Sequence, residues 1–172
     1  FHPDYLEKYK PPTLNKLARE GVRAKWLIPS YPTKTFPNFY TVATGLYPDN
    51  HGIIENNMYD AEIGQVFGLG IREQVKNPKW WGGEPIWVTA ETQGKKAAAF
   101  FYPGTETRIK GVQPSFLRDY DHYFPNEKRV ETILSWLDLT ANERPQMITL
   151  YFADVDDAGH AAGADSPETR AA

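Results

Sequence analysis

The 172-residue sequence contains no cysteine. That excludes a disulfide framework, a thiolate zinc finger, an iron–sulfur cluster and a cysteine nucleophile within it. It does not identify a compartment, because proteins of oxidising compartments also occur without disulfides. Long apolar runs are missing too: the longest, such as residues 97–102, cover only a few positions. A membrane-crossing helix needs about 20. Positive charge is not in excess, with 19 Lys and Arg against 22 Asp and Glu for a net charge of −3. A general nucleic-acid binder carries a basic field, so stable nucleic-acid binding is not expected. Gly68-Leu69-Gly70 is too short for a dinucleotide fingerprint and lacks the strand–helix context of one. No leader and no initiator Met are visible, and the chain opens at Phe1 as a cut longer protein would.

What is present reads as a folded domain. Hydrophobic residues make up 41% of the chain and aromatic residues 14%, with five Trp, well outside disordered compositions. Strand-like and helix-like segments alternate, the signature of an α/β fold. Leu14, Leu17, Ala18 and Val22 fall at helical spacing, with Gly21 near the end. Residues 24–28 read as a short strand stopped by Pro29, and residues 39–44 as a helix stopped by Gly45. Residues 84–91 open with a Pro at a helix start, and residues 95–102 are apolar enough for a buried strand. Val130, Ile133, Leu134 and Leu137 line one face of a helix over 130–139. Residues 147–152 form the strongest buried strand and lead into an acidic loop, 153–160. Ligands of open α/β sheets gather at such strand ends. Ser166-Pro167 then fits an N-cap and first helical turn.

Three groups of residues have the chemistry for a site. Asp156 and His160 form an Asp-x-x-x-His pair, and carboxylate plus imidazole is a normal donor set for zinc. The spacing alone equally suits a surface ion pair, and Asp154 and Asp157 stand close by. Thr35 falls at or just before a helix N-terminus, because Pro37 fits the first turn. Amide N–H groups and the helix dipole there favour a phosphoryl oxygen. A threonine hydroxyl needs a base or a metal to become a nucleophile, and capping is the ordinary alternative for Thr35, as for Thr33. Asn56 and Asn57 follow a turn-like stretch. An amide N–H₂ can donate to a developing phosphate oxygen, although Asn is also a common turn former. His51 reads as a structural, hydrogen-bonded histidine, and Trp80, Trp81 and Trp87 as core or groove walls.

Taken in order, six segments resemble the nucleotide pyrophosphatase/phosphodiesterase family of the alkaline phosphatase superfamily. They are Pro32-Thr33-Lys34-Thr35-Phe36-Pro37-Asn38, Thr44-Gly45-Leu46-Tyr47-Pro48, His51 through Asp60, Gly83-Glu84-Pro85-Ile86-Trp87-Val88, Phe101-Tyr102-Pro103-Gly104, and Tyr151-Phe152 with Asp156 and Gly159-His160. The resemblance runs along essentially the whole chain. It implies a doubly wound, mainly parallel α/β sheet with helices on both faces, and two zinc ions. It implies Thr35 as the nucleophile that forms a phosphothreonine intermediate and also touches metal. It implies Asn56 as a holder of a phosphate oxygen together with a backbone N–H near Thr35, and Asp156 and His160 as zinc ligands. Phe36 and Tyr120 match the aromatic pair that stacks on a nucleotide base, and Tyr102 stands where a Trp is common on the outer wall of that pocket.

The implied reaction is hydrolysis of nucleotide phosphodiester or pyrophosphate bonds to 5′-monophosphates, in an extracytoplasmic setting. A choline- or lipid-type phosphodiester is the alternative substrate, and a non-catalytic truncated fragment the alternative class. A formylglycine sulfatase is disfavoured, since no Cys/Ser-x-Pro-x-Arg motif is present. In the family pattern Phe1 is the third residue of a strand end Asp-Gly-Phe, whose Asp is a ligand, and a later Asp-His pair and a final His complete the set. Residues 1–172 are therefore expected to be the N-terminal portion of a single catalytic domain, truncated at both ends and inactive alone.

Overall fold

A computed structural model describes residues 2–172. Phe1, expected to close an Asp-Gly-Phe strand end, lies outside the described residues. The chain divides into two compact units, one made of the segment up to Ile28 with Phe152–Ala172, the other of Pro29–Tyr151.

The first unit is helical. It opens with α1 (Tyr5–Lys8) and α2 (Pro12–Glu20), the latter starting on a Pro, where no N–H is needed. Asn15 Nδ2 donates to the Leu6 carbonyl at 3.0 Å and ties the two together. Residues 24–28, expected as a strand, form none. Trp26, Leu27 and Ile28 are exposed, and among the described residues this unit contains no strand that could offer them a ladder.

The larger unit begins with α3 (Thr35–Thr44) and α4 (Pro48–His51). Gly45 ends α3 in the left-handed region at φ 69°, a conformation that only glycine adopts without cost. Next come β1 (Asn57–Asp60) and β2 (Gln65–Gly68), an antiparallel hairpin, then α5 (Arg72–Val75), a 3₁₀ turn at Pro78–Trp80, and α6 (Ile86–Thr92). The remaining elements are β3 (Ala97–Phe100), β4 (Phe116–Arg118), α7 (Asn126–Leu137) and β5 (Met147–Leu150).

Strand order is β4-β3-β5, with β3 parallel to both neighbours. All four residues of β3 are buried, as expected of a strand paired on both edges in an α/β fold. The chain passes from β3 to β4 on one side, then through α7 to β5 on the other. That reversal is the doubly wound pattern, and it makes the carboxyl end of β3 a switch point where ligands of such sheets bind.

Tyr40, Phe67, Trp80, Trp81, Trp87, Val88 and Ile109 form the core of this unit. Each large side chain so buried contributes about 1.5–3 kcal/mol. Tyr40 stands edge-on to Trp81 at 4.9 Å and its hydroxyl donates to the Gly82 carbonyl at 2.8 Å. Burial raises its phenol well above the ordinary range. Gly104, at φ 90°, lets the chain pass the Trp81 ring: a Cβ there would lie 2.9 Å from Trp81 Cζ3.

Helix α7 forms where its periodicity predicts, yet Val130, Leu134 and Leu137 stay exposed. Trp136 packs against Phe116 and Phe100 instead. Arg129 is buried because its guanidinium donates to the Phe124 carbonyl at 2.9 and 3.1 Å and to the Tyr151 carbonyl at 3.0 Å. A guanidinium hydrogen-bonded to backbone carbonyls through each of its nitrogens tolerates an interior place.

The first unit closes with α8 (Asp154–Ala162) and α9 (Pro167–Ala171). Residues 154–160 of the expected loop are thus helical, with Ala153 as the N-cap. Asp154, Asp156 and Asp157 occupy the first turn of α8, where negative charge meets the positive end of the helix dipole; this offsets the cost of Gly159. Ser166 caps α9 through the Thr169 N–H at 3.1 Å.

Candidate active site

Thr35 is the first residue of α3, and Lys34, extended at φ −124°, is its N-cap without a side-chain cap bond. The hydroxyl of Thr35 therefore caps nothing, and no hydrogen bond to it is present among the described residues. Behind it, the loop from Ser30 to Lys34 is held by Asn38. Its amide donates to the carbonyls of Lys34 at 2.9 Å, Pro32 at 3.0 Å and Ser30 at 3.4 Å. Its oxygen accepts the Ser30 N–H at 2.8 Å and lies 3.1 Å from the Ser30 hydroxyl. A single side chain thus satisfies several loop groups that helix and sheet do not reach.

The network continues inward. Ser30 Oγ lies 3.3 Å from Thr41 Oγ1, which lies 3.0 Å from His51 Nε2. His51 Nδ1 accepts the Ile53 N–H at 3.2 Å. The ring proton is therefore on Nε2 and is donated toward Thr41. His51 is fully buried; desolvation lowers its pKa, opposed by hydrogen bonds to backbone and by the Asp49 charge.

Asn56 meets the first turn of α3. Its Oδ1 accepts the Phe36 N–H at 2.9 Å, while its backbone N–H donates to Glu55 Oε1 at 2.7 Å and its carbonyl accepts from Leu69 at 3.1 Å. With both backbone groups and the amide oxygen engaged, the Asn56 Nδ2 donors have no partner among the described residues. The Phe36 amide is spent on Asn56, so the backbone N–H groups at this helix start are not all open to a ligand.

The expected aromatic residues take different positions. Phe36 is half-buried, its ring 5.8 Å from Phe67 and 6.0 Å from Trp81. Tyr102 packs edge-on against Phe39 at 5.2 Å and Trp87 at 5.8 Å, and its hydroxyl donates to the Phe39 carbonyl at 2.9 Å. Burial pushes that phenol up to about 12. Tyr120 stays exposed, edge-on to Phe101 at 5.4 Å, with its hydroxyl 3.1 Å from His122 Nδ1. Phe101 itself leaves β3 at φ 65°, a costly conformation for a bulky residue and one that collects at functional sites. A cavity of about 450 Å³ opens beside the loop before α3, lined by Tyr31, Pro32, Tyr47 and Ile54.

Asp156 and His160 lie in the other unit, one turn apart on α8, with Asp156 Oδ2 3.7 Å from His160 Nε2 and both side chains exposed. The two groups line a cavity of about 270 Å³ with His2, Tyr5 and Gly159. A carboxylate oxygen and an imidazole nitrogen on one helix face fit two ligand positions of a zinc ion. No group of three or more His, Asp or Glu able to hold a metal ion is present among the described residues. Nor is any helix among them long and apolar enough to cross a membrane.

Sequence reasoning did not single out Asn38, Thr41, Arg72 or Glu106. Asn38 was visible only as part of a motif. Arg72 and Glu106 are 34 residues apart and carry no local pattern.

A parallel-stranded α/β domain with a hydroxyl at a helix start and an amide beside it offers a setting that suits an anionic oxygen. The type I phosphodiesterase/nucleotide pyrophosphatase family model matches residues 1–172, and the chain belongs to that family. It is 46% identical over 165 residues to ectonucleotide pyrophosphatase/phosphodiesterase family member 3 of Mus musculus, covering 95% of this chain and 19% of the relative. A venom phosphodiesterase of Crotalus durissus collilineatus is 48% identical over 170 residues, covering 98% and 20%. Among solved structures, murine ectonucleotide pyrophosphatase/phosphodiesterase 5 superposes with a TM-score of 0.92 at 33% identity, over 99% of this chain and 45% of that one. An inactive threonine-to-alanine form of that murine protein, solved in complex with AMP, gives 0.92 at 32% identity. The chain thus spans about a fifth of the length of these curated relatives and under half of the solved chains.

Proposed function

We propose that residues 1–172 are the N-terminal portion of a catalytic domain that hydrolyses nucleotide phosphodiester or pyrophosphate bonds to 5′-monophosphates. The observation that carries this reading is the junction of α3 with Asn56. A hydroxyl that caps nothing stands beside an amide whose oxygen is tied down and whose N–H₂ remains available. Thr35 attacks phosphorus and displaces the leaving alkoxide or phosphate, which leaves the nucleoside 5′-phosphate as a phosphothreonine ester. Water then breaks the bond between the Thr35 oxygen and phosphorus to release the 5′-monophosphate. Asn56 Nδ2 donates to a non-bridging oxygen as its charge grows in the transition state. Phe36 and Tyr120 stack on the base, and Tyr102 stands for the outer wall of that pocket.

Asp156 and His160 would hold one zinc ion, and Thr35 would contact a second. Zinc supplies Lewis acidity to phosphoryl oxygens and lowers the pKa of a bound hydroxyl. A two-metal site of this kind needs more ligands than these, so residues 1–172 alone are not expected to turn over. The names of the relatives, ectonucleotide enzymes and venom phosphodiesterases, support an extracytoplasmic setting and small phosphodiester substrates.

The test uses full-length protein and a p-nitrophenyl nucleotide ester. Acid quenching during turnover should trap a nucleoside 5′-phosphate on Thr35, detected by mass spectrometry, and Thr35→Ala should abolish both hydrolysis and the trapped ester while sparing the fold. Full activity in Thr35→Ala would refute the nucleophile. Faster turnover of a phosphocholine ester than of the nucleotide ester would move the substrate to the choline or lipid class.

A further inference from the structure

Glu106 is the most deeply buried acidic group of the larger unit, with its side chain only 5% exposed. It forms an ion pair with Arg72, and its other carboxylate oxygen accepts the backbone N–H of Tyr120. The Arg72 guanidinium carbon in turn stands 5.6 Å from the centroid of the Tyr120 ring, within range of a cation–π contact. Phe101 also stands edge-on to the same ring. Four residues after Arg72, Lys76 Nζ binds Asp119 at 2.5 Å. Arg72 and Lys76 are therefore tied to the Tyr120 segment in two ways, Lys76 directly through Asp119 and Arg72 through the buried Glu106 carboxylate that holds the Tyr120 N–H.

A buried carboxylate is costly unless paired and hydrogen-bonded. Here one carboxylate is satisfied by a cation on one side and by the tyrosine's own backbone on the other. The arrangement fixes the main chain of Tyr120 and the cation over its ring together. We propose that Arg72 and Glu106 are positioning residues that set the orientation of the Tyr120 ring and thereby the preference for esters that carry an aromatic base. This rests on the reading of Phe36 and Tyr120 as the base-stacking pair. Neither residue is assigned contact with the phosphate, so the bond-breaking step does not depend on them.

The experiment measures kcat and KM of full-length protein with two esters, a p-nitrophenyl nucleotide and p-nitrophenylphosphorylcholine. In Glu106→Gln the ratio of the two kcat/KM values should fall by about tenfold. The fall should come from a higher KM for the nucleotide ester, with kcat on the choline ester unchanged. AMP should weaken as an inhibitor by the same factor while inorganic phosphate does not. Arg72→Lys keeps a charge opposite Glu106 without the planar face, and its ratio should fall by about threefold; it carries the same comparison if Glu106→Gln does not fold. A parallel loss on both esters, or no change in the ratio, overturns the positioning role alone. A wild-type protein with no preference for the nucleotide ester overturns the base-stacking reading, and this proposal with it.

Discussion

Asn56 Oδ1 accepts the Phe36 N–H at 2.9 Å across 20 residues of chain. One bond thereby joins the turn before β1 to the first turn of α3 and orients the free end of the amide. Replacing Asn56 with Ala should lower kcat on a p-nitrophenyl nucleotide ester by about 10²–10³-fold, the cost of one lost oxyanion donor. KM should change little. A variant with kcat within twofold of wild type would remove Asn56 from the transition state.

Asn38→Asp tests the loop. It keeps the shape but replaces two N–H donors with a carboxylate facing the carbonyls of Lys34, Pro32 and Ser30. Stability in urea should drop by about 2 kcal/mol or more. An unchanged midpoint would mean that these carbonyls find water instead.

His51 gives stability a pH dependence. Burial holds the folded imidazole below its ordinary value of 6.5. Below that value the unfolded chain takes up a proton that the folded chain refuses. The contribution is complete above the ordinary value and declines as pH falls through it. The melting temperature of wild type should therefore fall further between pH 8 and pH 5 than that of His51→Gln. Equal falls would show that the imidazole is not the titrating group.

Trp81 and Gly104 should be coupled. Trp81→Ala empties a core position and should cost about 3–5 kcal/mol. Gly104→Ala places a Cβ 2.9 Å from Trp81 Cζ3 at φ 90° and should cost about 1–3 kcal/mol. The double mutant should be less unstable than the sum, because the clash disappears with the indole. Strict additivity in denaturant melts would contradict that contact.

Zinc affinity should depend on α8. Loss of an outer partner alone weakens metal sites by about 10–100-fold, so His160→Ala should weaken zinc by more than about 100-fold. Competition with a chromophoric chelator reads this without any assay of turnover, and an unchanged affinity would dismiss His160 as a ligand.

Much of the fold was legible because local signals agreed with the tertiary result. Gly45 stops α3 as expected, residues within 95–102 and 147–152 supply the paired strands β3 and β5, and Trp80, Trp81 and Trp87 are buried. His51 is the hydrogen-bonded structural residue that its setting suggested. Elsewhere local pattern misled. Residues 24–28 are apolar enough for a strand, but a strand exists only where a neighbour offers backbone groups. Residues 153–160 read as an acidic loop because they follow a strong strand and carry three Asp and a Gly, yet three acids in a first turn favour a helix. In α7 the periodicity identified the helix but not its inward side, which Arg129 and Trp136 decide through partners far away in sequence. Arg72 and Glu106 were invisible for the same reason, since neither has a neighbour in the chain that hints at the other.

The helical course of residues 154–162 turns the Asp156–His160 pair into a matter of pitch. Four steps bring the imidazole back to the carboxylate's side of the cylinder; a fifth would carry it about 100° further round. One alanine inserted between Asp157 and Ala158 would thus separate the two groups as thoroughly as deleting either of them. In a flexible loop the same insertion would have mattered little.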